Sequence, residues 1–231
     1  MQTFYLPHIE SIPILSEEES KHCVRVLRLK VGDVIRVADG IGNFFRAEIS
    51  DANPKKCTLK ILEKRAEEKR TFHLHIAIAP TKNTERFEWF LEKATEIGIE
   101  EITPVECSRS ERTSVKTSRL EKILVSAMKQ SLKAHLPKLN EMKEFKDLIK
   151  EKFQGQKFIA HCEEANRNHL KNIYTKSQNA LILIGPEGDF SSEEIKLAKD
   201  NGFGEISLGK SRLRTETAGV VGCEIINLMN E

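Results

Sequence analysis

No segment of this 231-residue chain approaches the roughly 18 consecutive apolar residues that a membrane-spanning helix needs. The opening stretch, MQTFYLPHIESIP, has no basic start followed by an apolar run, so no secretory leader is read there and a cytoplasmic protein is expected. Disulfides and zinc lack support as well. The five cysteines (Cys23, Cys57, Cys107, Cys162, Cys223) are odd in number, widely spaced and form no C-x-x-C pair, so they read as reduced, mostly buried thiols. His73 and His75 alternate on one expected strand without a third ligand at metal spacing; they read as strand surface, and no metal is expected. Net charge is also missing, with 37 Lys and Arg against 35 Asp and Glu, and by itself points to no polyanionic partner. Its distribution says more. Residues 21–36, KHCVRVLRLKVGDVIR, carry five Lys/Arg against one acid, and residues 105–135 carry seven against three. Local basic surfaces on a neutral chain suit a nucleic-acid binder that must stay soluble, with solvated helix faces as the plainer reading of either run.

What is present divides into two patterns. At this length roughly 70% of the unfolded surface is buried on folding, enough for one large domain or two small ones. The first third is β-rich: strands over 34–38 and 43–49 flank the turn Asp39-Gly40 as a hairpin, and CTLKILEK alternates as a third strand. Ser16 with Glu19 forms a capping box that opens a helix through about Leu27. Residues 63–70, EKRAEEKR, lack apolar periodicity and mark a boundary between domains over 1–68 and 69–231. From Thr71 strands alternate with helices: FHLHIAIAP, a helix ending at Gly98, EITPV, a helix opened by a capping box at Ser118 and Glu121, KFIAHC, ALILIGP, a helix capped by Ser191 and Glu194, GEISLG, and a final helix ETAGVVGCEIINLMN. Such alternation predicts an α/β domain with a mostly parallel sheet covered on both faces. Trp89 and Phe90, on the first of these helices, read as core or interface.

Residues 204–211, GEISLGKS, match the phosphate-loop pattern G-x-x-x-x-G-K-[ST], which would make a nucleotide hydrolase built on Lys210 and Ser211. In that loop the strand precedes the glycines; here it lies between them, so the match reads as accidental. Ligands in open α/β sheets settle at the carboxyl ends of strands. Three such ends are unusual: FIAHCEE, leaving at His161 and Cys162; LILIGPEGDFSSEE, leaving Ile184 through Gly185-Pro186-Glu187-Gly188; and ISLGKSRLRTETAG, leaving at Gly209. Gly185 and Gly188 allow backbone to approach a ligand, and Leu208 with Leu213 offer apolar walls for a flat ring. Glu187 and Glu216 fall at helix starts, where capping is the plainer reading, whereas Arg212 and Arg214 have no such explanation.

IGPEGDFSSEE together with LGKSRLRTETA resembles the paired signature of the RsmE family, the 16S ribosomal RNA uridine-N3 methyltransferases of the SPOUT superfamily. HCVRVLRLKVGD resembles that family's N-terminal segment, and EKATEIGIEEITPV and SRSERT fall in family order between them. Asp189, the run GKSRLR with Ser211, and Lys133 in KQSLK depart from the family's usual glycine, G-x-R-I-L-R and arginine. The resemblance implies a PUA-like RNA-binding barrel followed by a SPOUT domain with a trefoil knot, S-adenosyl-L-methionine as cofactor, a homodimer, and 16S ribosomal RNA, naked or in the assembled small subunit, as partner. It also implies a cofactor and active-site region of His161, Ile184, Gly185, Pro186, Glu187, Gly188, Leu208, Gly209, Leu213 and Thr217. Arg214 leads as the cation that favours the uracil anion, with Arg109 and Arg112 as alternatives and Glu216 as proton acceptor. RNA contacts are assigned to Arg25, Arg28 and Lys30, and to Gln130, Ser131 and Lys133. The rival classes are the phosphate-loop hydrolase and a non-catalytic RNA-binding homologue.

Overall fold

The computed structural model describes residues 2–163 and 168–231, so that Glu164, the last residue of FIAHCEE, lies outside them. The chain divides into two compact units, Met1–Lys69 with Val125–Leu136, and Arg70–Leu124 with Pro137–Glu231.

In the first unit β1 (Thr3–Tyr5), β2 (Val34–Ala38), β3 (Asn43–Asp51) and β4 (Thr58–Ala66) form a sheet in that order, β1 parallel to β2 and the rest antiparallel. Alternation drives its core: Phe4, Ile35, Val37, Phe45, Ala47, Ile49 and Leu59 point inward and are buried. β4 continues through Glu63, Lys64 and Arg65, where the sequence suggests a boundary, because the ladder with β3 and an Arg46–Glu63 ion pair of 3.1 Å hold a stretch that buries little. Ser16 caps α1 (Glu17–Lys21) by accepting from the Glu19 N–H at 3.2 Å. Instead of continuing as α to Leu27, the chain widens into a π-helical turn over His22–Val26. That turn keeps Cys23 in the core while Arg25 and Val26 face solvent. Val125–Leu136 comes from far along the chain and is tied in by Lys129 Nζ to Glu19 Oε1 at 2.6 Å and by the Ala134 N–H to Glu67 Oε2 at 2.9 Å.

The second unit contains β5 (Leu74–Ile78), α2 (Thr84–Ile97), β6 (Glu101–Glu106), the first half of α3 (Thr117–Gln130), β7 (Lys138–Leu139), β8 (Lys143–Glu144), α4 (Phe145–Leu148), β9 (Gln156–Ala160), β10 (Asn168–His169), α5 (Leu170–Ile173), β11 (Ala180–Ile184), α6 (Ser192–Asp200), β12 (Gly204–Ser207) and α7 (Thr215–Asn230). Every pairing in its sheet is parallel, in the order β10-β12-β9-β11-β5-β6-β7 with β8 on β6. The fully buried runs LHIAI and ALILI form the centre, as expected for a sheet covered on both faces. On one face Ala77, Leu181 and Leu183 pack with Phe145, Phe190 and Ile195; on the other, α7 approaches Ile78 and the Phe90 ring. Gly98, at φ +131°, ends α2, and Ser191 with Glu194 completes a reciprocal capping box on α6.

Two expectations fail here for physical reasons. α3 starts at Thr117, with the Lys116 carbonyl accepting from the Arg119 and Leu120 N–H groups, so Ser118 lies inside the first turn and no capping box with Glu121 opens the helix there. His75 is buried, not strand surface, because β5 is central and covered on both sides; its Nε2 lies 2.7 Å from Thr103 Oγ1, and burial pushes its pKa down to about 4. The phosphate-loop reading also ends here. β12 occupies Gly204–Ser207 and α7 begins only at Thr215, which leaves Lys210 and Ser211 exposed in a loop with no helix N-terminus beside them.

Candidate active site

β5 and β11 are neighbours at the middle of the sheet, but the chain leaves β5 towards β6 and β11 towards β12 on the opposite side. Their following loops therefore diverge and open a crevice. After β11, Gly185 and Pro186 are buried, and the Asp189 N–H closes a turn onto the Pro186 carbonyl at 2.9 Å. A Cβ at Gly185 would lie 3.1 Å from the Phe190 ring, so glycine suits this close approach. Asp189 takes φ +62°, and its carboxylate accepts from the Phe190 N–H at 2.8 Å and the Cys162 N–H at 2.7 Å. The β11 and β9 loops are thereby joined through one side chain.

Further bonds fix the other loops. Glu187 Oε1 accepts from the Lys82 N–H at 3.0 Å, and Thr215 Oγ1, at the start of α7, donates to the Gly185 carbonyl at 3.0 Å. Arg112 donates to the Thr81 and Lys82 carbonyls at 3.1 and 2.7 Å, and Arg109 to the Gly188 and Phe190 carbonyls at 3.0 and 3.3 Å. Ser108 bonds Glu194 through both its N–H and its hydroxyl, at 2.8 and 2.9 Å. The segment after β6 is thus strapped to the two loops that build the crevice.

Two clefts result. One, of about 350 Å³, is walled by Ile184, Gly185, Pro186, Cys162 and Leu213. The other, of about 680 Å³ and more open, is lined by Asn83, Trp89, Glu216 and Thr217. They share Arg86, Arg212, Leu213 and Arg214. Glu216 is 7% exposed; its Oε2 has no hydrogen-bond partner among the described residues, and its Oε1 lies 3.9 Å from Arg86 Nε. Arg214 precedes α7 as its N-cap residue, makes no side-chain capping bond and is exposed. A buried carboxylate in a cleft that three arginines also line can exchange a proton with a ligand, while the cations can meet an anionic one.

Of the residues marked by sequence, Ile184, Gly185, Pro186, Glu187, Leu213 and Arg214 line the smaller cleft, and Leu213, Arg214, Glu216 and Thr217 the larger. The rest stand apart. His161 is buried with Nε2 3.2 Å from Glu205 Oε1, and only its neighbours Ala160 and Cys162 reach the cleft wall. Glu205 is also held by Lys199 at 2.7 Å, whose hydrogen bond and charge lower its pKa. Leu208 and Gly209 do not line either cleft, so of the expected pair of apolar walls Leu213 alone is in place. Gly188 lies under the Arg109 side chain, and Arg109 and Arg112 brace backbone carbonyls without lining either of these clefts. Arg25, Arg28 and Lys30 are exposed on the first unit, to which Gln130, Ser131 and Lys133 also belong; Ser131 Oγ donates back to the Ala127 carbonyl at 2.7 Å. Trp89, read from the sequence as core or interface, is 43% exposed and lines the larger cleft. Asn83 and Arg86 escaped notice because they follow β5. Its AIAPTKNTE exit looks like an ordinary turn until the strand order places it beside β11.

Comparison with known proteins gives this geometry a setting. Residues 67–227 match the family described as RNA methyltransferase domain, and residues 15–62 that described as RNA methyltransferase PUA domain. The ribosomal RNA small subunit methyltransferase E of Mesomycoplasma hyopneumoniae (strain 232) is 32% identical over 91% of this chain and 92% of its own length. A crystal structure of a probable rRNA-methyltransferase from Porphyromonas gingivalis aligns over 100% of this chain and 98% of its own, with TM-score 0.94 and 43% identity. The ribosomal RNA small subunit methyltransferase E of Neisseria gonorrhoeae, solved bound to S-adenosyl methionine, aligns over 100% and 98% with TM-score 0.89 and 25% identity. The parallel α/β unit is thus a SPOUT-type transferase domain preceded by a PUA-like one, and the chain belongs to the RNA methyltransferase family of ribosomal RNA small subunit methyltransferase E.

Proposed function

We propose that this protein methylates N3 of a uridine in 16S ribosomal RNA with S-adenosyl-L-methionine as donor, acting in the cytoplasm as a homodimer. The observation that carries the reading is the pair of clefts sharing Arg86 and the wall Arg212–Arg214, the smaller one partly apolar, the larger and more open one lined by Trp89, Glu85 and Glu216 as well. The smaller fits the cofactor: Ile184, Leu213 and Ala218 offer apolar surface, and Gly185 lets backbone come close. Bound there, S-adenosyl-L-methionine would supply an electrophilic methyl group on a sulfonium.

The protein's own groups then have defined tasks. Uridine N3 is a poor nucleophile until its proton leaves, so most of the rate comes from positioning and from cations at the uracil carbonyl oxygens. Arg214 is the first of these, since Arg109 and Arg112 hold the loops. Glu216 takes the proton. Arg25, Arg28 and Lys30, with Gln130, Ser131 and Lys133, hold RNA on one unit, chiefly through phosphate. Domains over 1–68 and 69–231, and the trefoil knot implied by the resemblance, belong to the same proposal. The half-exposed Trp89 on α2 and exposed Leu228 on α7 support pairing of two subunits through these helices.

Calorimetric titration with S-adenosyl-L-methionine, and in parallel with ATP and Mg²⁺, tests the cofactor. Saturable binding of the first alone is expected, and binding of ATP instead would refute it. Labelled-methyl transfer to small ribosomal subunits then tests turnover; cofactor binding without transfer would make this a non-catalytic homologue.

A further inference from the structure

Arg86 lies in the first turn of α2 and lines both clefts. Its helix is anchored by Phe87, Phe90 and Leu91, all buried, which fixes its Cα, while its side chain is 41% exposed. Among the described residues the guanidinium has a single ionic partner, Glu216, and at 3.9 Å the contact is too long for a hydrogen bond. Five N–H donors are therefore available to a ligand. Glu216, in turn, keeps a buried Oε2 with no hydrogen-bond partner among the described residues. A buried carboxylate oxygen left unsatisfied is costly, and such a group calls for an explanation, of which an arriving ligand is one.

We propose that Arg86 is a substrate-binding cation of the methyl-transfer site, resting against Glu216 in the free protein and moving to a uracil carbonyl oxygen when the target base enters the larger cleft. The assignment rests on the methyltransferase reading above. In the complex the guanidinium donates to O2 or O4 of the uracil, which stabilises the charge that appears as N3 loses its proton. That proton goes to Glu216. The N3 lone pair forms the new N–C bond, the methyl C–S bond breaks with its electron pair kept by sulfur, and Glu216 later returns the proton to water. Arg214 and Arg212, at the exposed shared rim, remain available for the second carbonyl and the phosphates.

The test compares Arg86→Ala, Arg86→Lys, Glu216→Gln and the double variant Arg86→Ala/Glu216→Gln with the unaltered protein. The readouts are kcat and KM for labelled-methyl transfer to small subunits, S-adenosyl-L-methionine affinity by calorimetry, and the unfolding midpoint. Arg86→Ala should lower kcat about 100-fold while the cofactor Kd stays within about threefold, because the residue acts on the nucleoside. Arg86→Lys should recover most of that loss by keeping the charge. The double variant should be no slower than the worse single, since the two groups serve one event. Unchanged kcat in Arg86→Ala, a loss confined to cofactor affinity, or multiplicative losses in the double variant would each overturn the assignment. Failure of the unaltered protein to transfer methyl groups would instead overturn the methyltransferase reading, and this assignment with it, a pattern distinct from any variant-specific result.

Discussion

Gly219 and Gly222 both lie buried in α7, one turn apart, yet alanine should act on them in opposite directions. A Cβ at Gly219 would sit 2.6 and 2.7 Å from two atoms of the Phe90 ring and 2.9 Å from Ile78 Cδ1, whereas at Gly222 the nearest atom is Ile182 Cδ1 at 3.6 Å. Replacing a helical glycine by alanine gains about 1 kcal/mol from backbone entropy at either site. At Gly219 that gain is opposed by overpacking, typically about 1–3 kcal/mol, and the upper part of that range applies because Phe90 and Ile78 are both 0% exposed and cannot swing away. Gly222→Ala should therefore stabilise by about 0.5–1 kcal/mol and Gly219→Ala destabilise by about 1–2. The separation of about 1.5–3 kcal/mol corresponds to roughly 3–12 °C in Tm for a chain of this size. Urea unfolding at equal protein concentration, with m unchanged, is the assay. Phe90→Leu in the Gly219→Ala background should recover part of the loss by removing the obstructing ring edge. Shifts of the same sign in the two single variants would refute the packing argument.

The other predictions follow from the sites described above. Arg214→Ala should reduce methyl-transfer turnover about 100-fold or more with little change in cofactor affinity, and an unchanged rate would remove Arg214 from the chemistry. Asp189→Ala should weaken S-adenosyl-L-methionine binding about tenfold, since two charge-assisted bonds to loop N–H groups vanish and alanine is strained at φ +62°; calorimetry showing unaltered affinity would mean that the loops hold without it. Replacing Arg25, Arg28 and Lys30 by alanine should lower the slope of log affinity for RNA against log salt by about 2, at roughly 0.7 per lost phosphate contact on a single strand; filter binding over a salt series would disprove the assignment if the slope held. His75 is neutral when folded and has its pKa pushed down to about 4 by burial, whereas the unfolded chain takes up a proton near 6.5. Its contribution is thus complete above that pH and falls by about 3 kcal/mol as pH drops towards 4. Chemical denaturation over this range should show the loss, and His75→Gln should flatten it.

Much of this molecule could be read from its residues, because local patterns act locally. The apolar runs of β5 and β11, the glycine that ends α2 and the capping box of α6 each bring their own stop or start signal, and all formed where expected. What stayed hidden depends on strand order and on long-range return of the chain. β1, β7, β8 and β10 have two or three residues each, too few for any period to register. His75 looks like strand surface until a second layer covers its side of the sheet. Val125–Leu136 joins the first unit through Lys129 and Ala134, contacts that no local pattern announces. Arg86 became visible only when the parallel order put the exit of β5 beside that of β11.

Asp189 makes the same distinction within a single residue. Its sequence position suggests a carboxylate placed near the cofactor loop, a negative charge that a ligand would have to meet. In the fold it adopts the left-handed backbone conformation that glycine takes most readily and that aspartate tolerates better than most residues. Both of its oxygens are already engaged, one by the N–H of the next residue, Phe190, the other by the Cys162 N–H of the adjacent loop. Where the resemblance leads one to expect glycine, Asp189 therefore adds a strap between two cleft loops. A residue type states which bonds are available, and only the path of the chain decides which of them are made.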